Sequence, residues 1–181
     1  GQKIAAFPIP PQQITTKKPP PARQKGLTMK AVVTRVRSAS VCIDGELHGS
    51  IGQGFLILLG ISPEDTPESC RKLAEKCLGL RVFRDENDKM NRSLADVGGG
   101  VLVVSQFTLY GDVSHGRRPS FIGAARPETA IPLYEQFLAE CTRLGFPPQH
   151  GEFGAYMQVE SVNDGPVTLI VDTKDLILKP V

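Results

Sequence analysis

Two hydrophobic rhythms divide the chain from Met29 onward. Phe55-Leu56-Ile57-Leu58-Leu59 and Val101-Leu102-Val103-Val104 are short continuous apolar runs, the pattern of buried strands. Ala31 to Val36, Ser40 to Ile43 with a turn near Asp44-Gly45, Arg81 to Arg84, Ala155 to Val162 and Val167 to Asp172 read as further strands. Elsewhere the period lengthens to that of a helix. Thr66 is an N-cap, with Pro67 at the first helical position and Glu68 in the first turn, and the helix it opens turns Leu73, Ala74, Cys77 and Leu80 toward the core. A second helix starts near Pro127, places Ile131, Tyr134, Phe137, Leu138, Cys141 and Leu144 on one face, and stops at Gly145. Two helices among six or more strands, without regular βαβ alternation, predict an α+β fold rather than a Rossmann sheet.

The last two strand runs flank Asn163-Asp164-Gly165-Pro166-Val167-Thr168, where a Gly-Pro pair interrupts what otherwise reads as a β-hairpin. Glycine leaves the backbone bare and proline lacks an N–H, so such a tip can offer carbonyl oxygens to a small ligand. A Gly-Pro bond can also be cis at modest cost. The alternative is an ordinary turn.

Charge is distributed unevenly. The 181 residues carry a net +2, yet residues 1–28 hold Lys3, Lys17, Lys18, Arg23 and Lys25 and no acid, which leaves sixteen basic against nineteen acidic residues from Met29 onward. A net charge of −3 on the folded part excludes a strongly basic nucleic-acid-binding domain and restricts any RNA contact to a local one. Residues 1–28, with Pro8, Pro10, Pro11, Pro19, Pro20 and Pro21, read as an extended linker or extension ahead of a single domain at 29–181. The extension lacks acids, as transit peptides do, but it also lacks serine, holds a single arginine and carries prolines that oppose an amphipathic helix; organellar import through it is the alternative to a cytoplasmic setting. No apolar run reaches the roughly 20 residues of a membrane span, which argues against a membrane partner. Cys42, Cys70, Cys77 and Cys141 have neither CxxC spacing nor a neighbouring histidine, and read as reduced core thiols suited to the cytoplasm.

The usual catalytic templates fail here. His48, His115 and His150 stand in turn-like surroundings beside glycines, there is no Gly-x-Ser-x-Gly elbow, and the acid nearest Ser105 is Asp112. Gly98-Gly99-Gly100 precedes a strand and is therefore a turn, not a phosphate loop. Any chemistry carried by Ser105, Gln106 and Thr108, which the Val101–Val104 run delivers at its C-terminal end, must work without a strong base.

Ser105-Gln106-Phe107-Thr108-Leu109-Tyr110-Gly111, Gly116-Arg117-Arg118-Pro119-Ser120-Phe121, Phe153-Gly154-Ala155-Tyr156-Met157-Gln158-Val159 and the Asn163–Thr168 segment occur in this order. With Met29-Lys30-Ala31-Val32-Val33-Thr34-Arg35-Val36 and Lys89-Met90-Asn91-Arg92-Ser93, they resemble the D-aminoacyl-tRNA deacylases from roughly Met29 to Val171. The resemblance implies a homodimer of mostly antiparallel, barrel-like sheets with two main helices packed on one side. It implies hydrolysis of the ester at the 3′ end of D-aminoacyl-tRNA, and of mischarged glycyl-tRNA, with no cofactor or metal. Gly165 and Pro166, in cis, would enter the partner subunit's site, bind the ammonium group with their carbonyls and leave no room for an L side chain. Arg35 would steady that loop.

Backbone N–H groups around Gln106, Phe107 and Thr108 suit an oxyanion hole, with Thr108 as hydrogen-bond donor or nucleophile. Phe121 stacks near the terminal adenine or lies in the core. Arg117 and Arg118 meet phosphates or are solvated. Ser105, where related animal-type editors carry proline, favours the D-specific branch. The alternatives are a non-catalytic nucleic-acid-binding module on the same fold, or an editing deacylase for another mischarged tRNA.

Overall fold

The computed structural model describes residues 28–176; apart from Thr28, the extension read at 1–28 lies outside the described residues. Strand β1 (Lys30–Ile43) is the spine. It is one strand where the sequence suggested two. A two-residue turn at Asp44 and Gly45, with φ of 52° and 78°, returns the chain into β2 (Glu46–Ile51), and positive φ at both residues suits the twist of a tight hairpin. β2 has no clean alternation, which is why the sequence did not reveal it. β3 (Gly54–Gly60) then runs antiparallel to the first half of β1.

Helix α1 (Pro67–Leu78) begins as expected: Thr66 is extended, Ser69 Oγ accepts its N–H at 3.1 Å, and Cys70, Leu73, Ala74, Cys77 and Leu78 are buried. The strand expected at Arg81–Arg84 shortens to β4 (Phe83–Arg84), which pairs with β5 (Met90–Arg92) in a small separate ribbon. β6 (Gly100–Ser105) lies parallel to β3, and β7 (Gln149–His150) lies parallel to β6. The sheet is therefore mixed, although most pairings are antiparallel. Helix α2 (Pro127–Arg143) buries Ala130, Leu133, Tyr134, Phe137 and Cys141. Ile131, expected on that face, is 38% exposed because it lies at the edge of this stripe.

β8 (Met157–Asp172) is one long strand where two were expected. The two runs flanking Gly165-Pro166 are not arms of a hairpin. Both pair antiparallel with β1, from Ile43↔Met157 through Val36↔Asn163 and then from Thr34↔Thr168 to Lys30↔Asp172. The Gly-Pro segment is a bulge thrown out of one continuous strand opposite Arg35.

β3 and β6 read as continuous apolar runs because they divide two cores. Phe55, Ile57, Leu59, Val101 and Val103 face the helices, while Leu56, Leu102 and Val104 face the barrel interior with Val36, Ala39 and Val41. The sheet curls until β2 meets β7, where the His48 ring nitrogen Nδ1 lies 2.8 Å from the His150 carbonyl. The result is a nearly closed barrel with both helices on one side. No helix among the described residues is long and apolar enough to cross a membrane.

Candidate active site

The Gln106–Thr108 segment is a strand end converted into a tight turn. β6 finishes at Ser105, and the Gln106 N–H makes one more bond, to the Leu59 carbonyl at 2.8 Å. The chain then folds into a single 3₁₀ turn over Phe107–Tyr110, closed by Leu109 N–H to the Gln106 carbonyl at 3.2 Å and Gly111 N–H to the Thr108 carbonyl at 3.0 Å. The N–H groups of Phe107 and Thr108 have no backbone acceptor among the described residues and remain free to donate.

Tyr110 anchors this turn. It is buried against Gly60, where an added Cβ would sit 2.8 Å from the Tyr110 ring, and its hydroxyl donates to the Thr28 carbonyl at 2.6 Å. Burial, with Asp65 and Asp172 nearby, pushes the phenol well above its usual range, so it stays protonated. Thr108 is exposed, and its Oγ accepts from the Gln106 side-chain amide, which leaves its own proton to donate outward. Phe107, 39% exposed, meets Phe121 edge to face at 5.2 Å. Ser105, Gln106, Phe107, Thr108 and Phe121 thus form one contiguous group.

No strong base joins them. The Asp112 carboxylate accepts the Ser114 N–H at 2.9 Å, and hydrogen bonds from Ser114 hold it below the usual carboxylate range. His48 and His150 are engaged with backbone carbonyls at the barrel closure, and His115 is exposed on the loop after Asp112. Among the described residues, no group of three or more His, Cys, Asp or Glu is placed to hold a metal ion.

Gly165, Pro166 and Arg35 form the second group. The Gly165-Pro166 bond is cis, and Gly165 has φ +132°. Arg35, only 4% exposed, donates through Nε to the Asp164 carbonyl at 2.9 Å and through Nη1 to the Val82 carbonyl at 2.6 Å. A residue that sequence reasoning gave no role completes the bulge. Asn163 Oδ1 accepts the Val167 N–H at 3.0 Å, and its amide donates to Thr168 Oγ at 2.9 Å, so one side chain closes the base of the loop. An asparagine directly before Asp-Gly-Pro, with a threonine five residues on, was the available signal. Behind the bulge, an open cleft of about 610 Å³ is lined by Arg35, Gln53, Arg84, Arg92 and Asp164, away from Thr108.

The two groups do not meet within one chain. Ser105 is level with Leu59 of β3, whereas the bulge is level with Arg35 and its partner Phe55. Four residues of strand separate the two levels, about 14 Å along the axis before any displacement across the sheet is added.

A family model described as D-Tyr-tRNA(Tyr) deacylase matches residues 32–172. The chain is 57% identical over 146 residues to a D-aminoacyl-tRNA deacylase of Desulfatibacillum aliphaticivorans, covering 81% of this chain and all of the relative. It is 55% identical over 147 residues to one of Thermus aquaticus, covering 81% of this chain and 97% of the relative. Among solved structures, the c-Myc DNA Unwinding Element Binding Protein superposes with a TM-score of 0.75 at 44% identity, over 80% of this chain and 98% of that one. A structure described as that of a probable eukaryotic D-amino acid tRNA deacylase gives 0.71 at 16% identity over 81% of this chain and all of that one, a likeness of fold. With the match spanning the Gln106–Thr108 turn, the Gly165-Pro166 bulge and Arg35 alike, the chain belongs to the D-Tyr-tRNA(Tyr) deacylase family.

Proposed function

We propose that this protein hydrolyses the ester of D-aminoacyl-tRNA, releasing the D-amino acid and free tRNA, and that it also clears mischarged glycyl-tRNA. Water attacks the ester carbonyl carbon, the bond to the ribose oxygen breaks, and the proton passes through the neighbouring ribose hydroxyl to the leaving oxygen. The free N–H groups of Phe107 and Thr108, with the Thr108 hydroxyl, hold the developing oxyanion. Phe121 carries the terminal adenine beside Phe107. Gly165 and Pro166 supply carbonyls to the substrate ammonium group and a backbone wall against L side chains, so chirality is read by exclusion. The reaction drawn this way calls on no cofactor or metal.

The observation that carries this reading is the separation of the two groups. An aminoacyl group cannot span about 14 Å of strand, so in this reading the bulge of one copy serves the Thr108 turn of another. β8 supports a homodimer: Val159, Val162 and Ile170 are 39%, 51% and 78% exposed, on a strand whose only partner among the described residues is β1. A long unpaired strand edge that also exposes apolar side chains is normally covered. Free thiols suit a cytoplasmic setting.

A rival reading, binding of nucleic acid without catalysis, is favoured by the likeness to the DNA unwinding element binding protein and opposed by the acidic balance from Met29 onward. Matched D- and L-tyrosyl-tRNA separate the two, with sedimentation run alongside. Rapid release of tyrosine from the D ester alone, by a dimer, is expected. Equal rates on both esters would overturn chiral selection, and an active monomer would overturn the shared site.

A further inference from the structure

Ten arginines lie among the described residues, and seven are already engaged. Arg71, Arg84, Arg92, Arg126 and Arg143 are ion-paired with Glu68, Asp88, Glu86, Glu128 and Glu140 respectively, Arg81 bonds the Asn91 carbonyl, and Arg35 is spent on the bulge. Arg37, Arg117 and Arg118 make no ion pair and no side-chain hydrogen bond with a described residue, and all three are exposed. An acidic domain that pairs most of its arginines has left these three without an internal partner.

Their placement is not scattered. Arg117 and Arg118 ride on a loop pinned at its base by the paired backbone bonds of Asp112 and Ser120, at 2.7 and 2.9 Å. That base adjoins the Thr108 turn, because Gly111 N–H bonds the Thr108 carbonyl and a Cβ on Gly111 would lie 3.1 Å from the Phe121 ring. Arg37 is the extra β1 residue at the second register shift, between Val36↔Asn163 and Ser38↔Val162, next to the shift at Thr34/Val36 where β8 throws out the Gly165 bulge. One free cation therefore flanks the Gly-Pro group, and two flank the Thr108 group.

We infer that Arg117 and Arg118 of one subunit and Arg37 of the other grip the phosphates of the single-stranded 3′ end of the tRNA whose ester lies at the shared site. The inference rests on the deacylase reading above. The chemistry fits: a single strand brings one phosphate per nucleotide, the guanidinium fork is suited to phosphate oxygens, and the acidic balance from Met29 onward gives the domain no general positive field to hold RNA elsewhere on it. The grip would position the ester against Thr108 without touching the reacting atoms, so these are positioning residues.

The test compares D-tyrosyl-tRNA with D-tyrosyl-adenosine, which carries the same ester but no phosphate. The double variant Arg117→Gln/Arg118→Gln and the single variant Arg37→Gln should each lower kcat/KM on the tRNA about tenfold or more at low salt, the scale of one charge-assisted bond. Each should also flatten the salt dependence by about 0.7 of a log unit per log unit of salt for each phosphate no longer neutralised. Neither should change the rate on D-tyrosyl-adenosine. Equal losses on both substrates would make the arginines structural and overturn the inference, as would an unchanged rate on the tRNA. A loss confined to the double variant would overturn the two-subunit grip. Failure of the deacylase reading is separately visible, as a wild-type protein that cleaves neither ester.

Discussion

Arg35 Nε reaches the carbonyl of Asp164 at 2.9 Å, across a point where β1 and β8 have lost their ladder register. A buried guanidinium thus stands in for the missing backbone bonds, and its second arm, on the Val82 carbonyl at 2.6 Å, ties the bulge to the chain just before β4. The Asp164 carboxylate adds a longer contact at 3.8 Å. Because the arginine is fixed at both ends, the loop it carries is positioned by the sheet.

Replacing Arg35 by Lys keeps the charge but cannot serve both carbonyls, so one buried acceptor is left unsatisfied. The cost should be about 1–3 kcal/mol, read as a lower urea midpoint with unchanged slope. Preference for D- over L-tyrosyl-tRNA should fall as well. Lower stability with full selectivity would confine Arg35 to a structural role.

Gly165→Ala should damage the loop more than the fold. At φ +132° an L side chain is strained, and its Cβ would sit 2.8 Å from Arg35 Nη2 and 3.2 Å from the Val167 backbone nitrogen. Strain of about 1–3 kcal/mol is expected, together with a loss of at least about tenfold in kcat/KM on D-tyrosyl-tRNA. A fully active variant would remove this glycine from the site.

For Thr108→Ala, the expected result is a partial loss in kcat, up to about a hundredfold, the lower end of what one oxyanion donor contributes. The Phe107 and Thr108 N–H groups survive the change. Removing the ribose 2′-hydroxyl from the substrate should abolish turnover. Mass spectrometry of the stalled wild-type enzyme should find no ester on Thr108; an adduct, or a wholly dead variant, would point to nucleophilic catalysis instead.

Three of the four thiols should be inert in the folded protein. Burial pushes Cys70 and Cys141 up to about 12 and Cys77 higher still, and Cys70 also donates to the Leu133 carbonyl at 3.2 Å. At pH 8, iodoacetamide should modify only the half-buried Cys42 until the protein is unfolded. The sign for stability follows. A thiol whose pKa is raised by folding contributes fully below its unfolded value near 8.5, and the contribution is lost as the pH climbs toward 12. The urea midpoint should therefore fall between about pH 9 and 12, and rapid native labelling of Cys77 would contradict this packing.

Much of the architecture was legible because burial writes itself into local pattern. The helix starts at Pro67 and Pro127, the stop near Gly145 and the apolar runs of β3 and β6 all follow from capping, proline placement and periodicity. β2, β5 and β7 were not legible: they are short or exposed, and pairing with a neighbour, rather than their own composition, makes them strands. Ile131 was misplaced because a helix stripe has an edge that only the opposing surface defines.

By itself the sequence determined the residue types from which a site could be made: a strand end carrying Gln106 and Thr108, a bare Gly-Pro segment, and the absence of any local acid-base template. These properties are short-range, and their chemistry needs no knowledge of distant neighbours. The tertiary structure decided that the Gly-Pro segment is a bulge in one strand rather than a hairpin tip, because both flanking runs compete for the same edge of β1 and only collinear pairing satisfies both. It also decided that Arg35 is buried against Asp164 and Val82, and that the Thr108 turn and the bulge lie at different levels of one sheet. Such relations depend on strand register, which is fixed by contacts far apart in the chain and invisible to any local pattern.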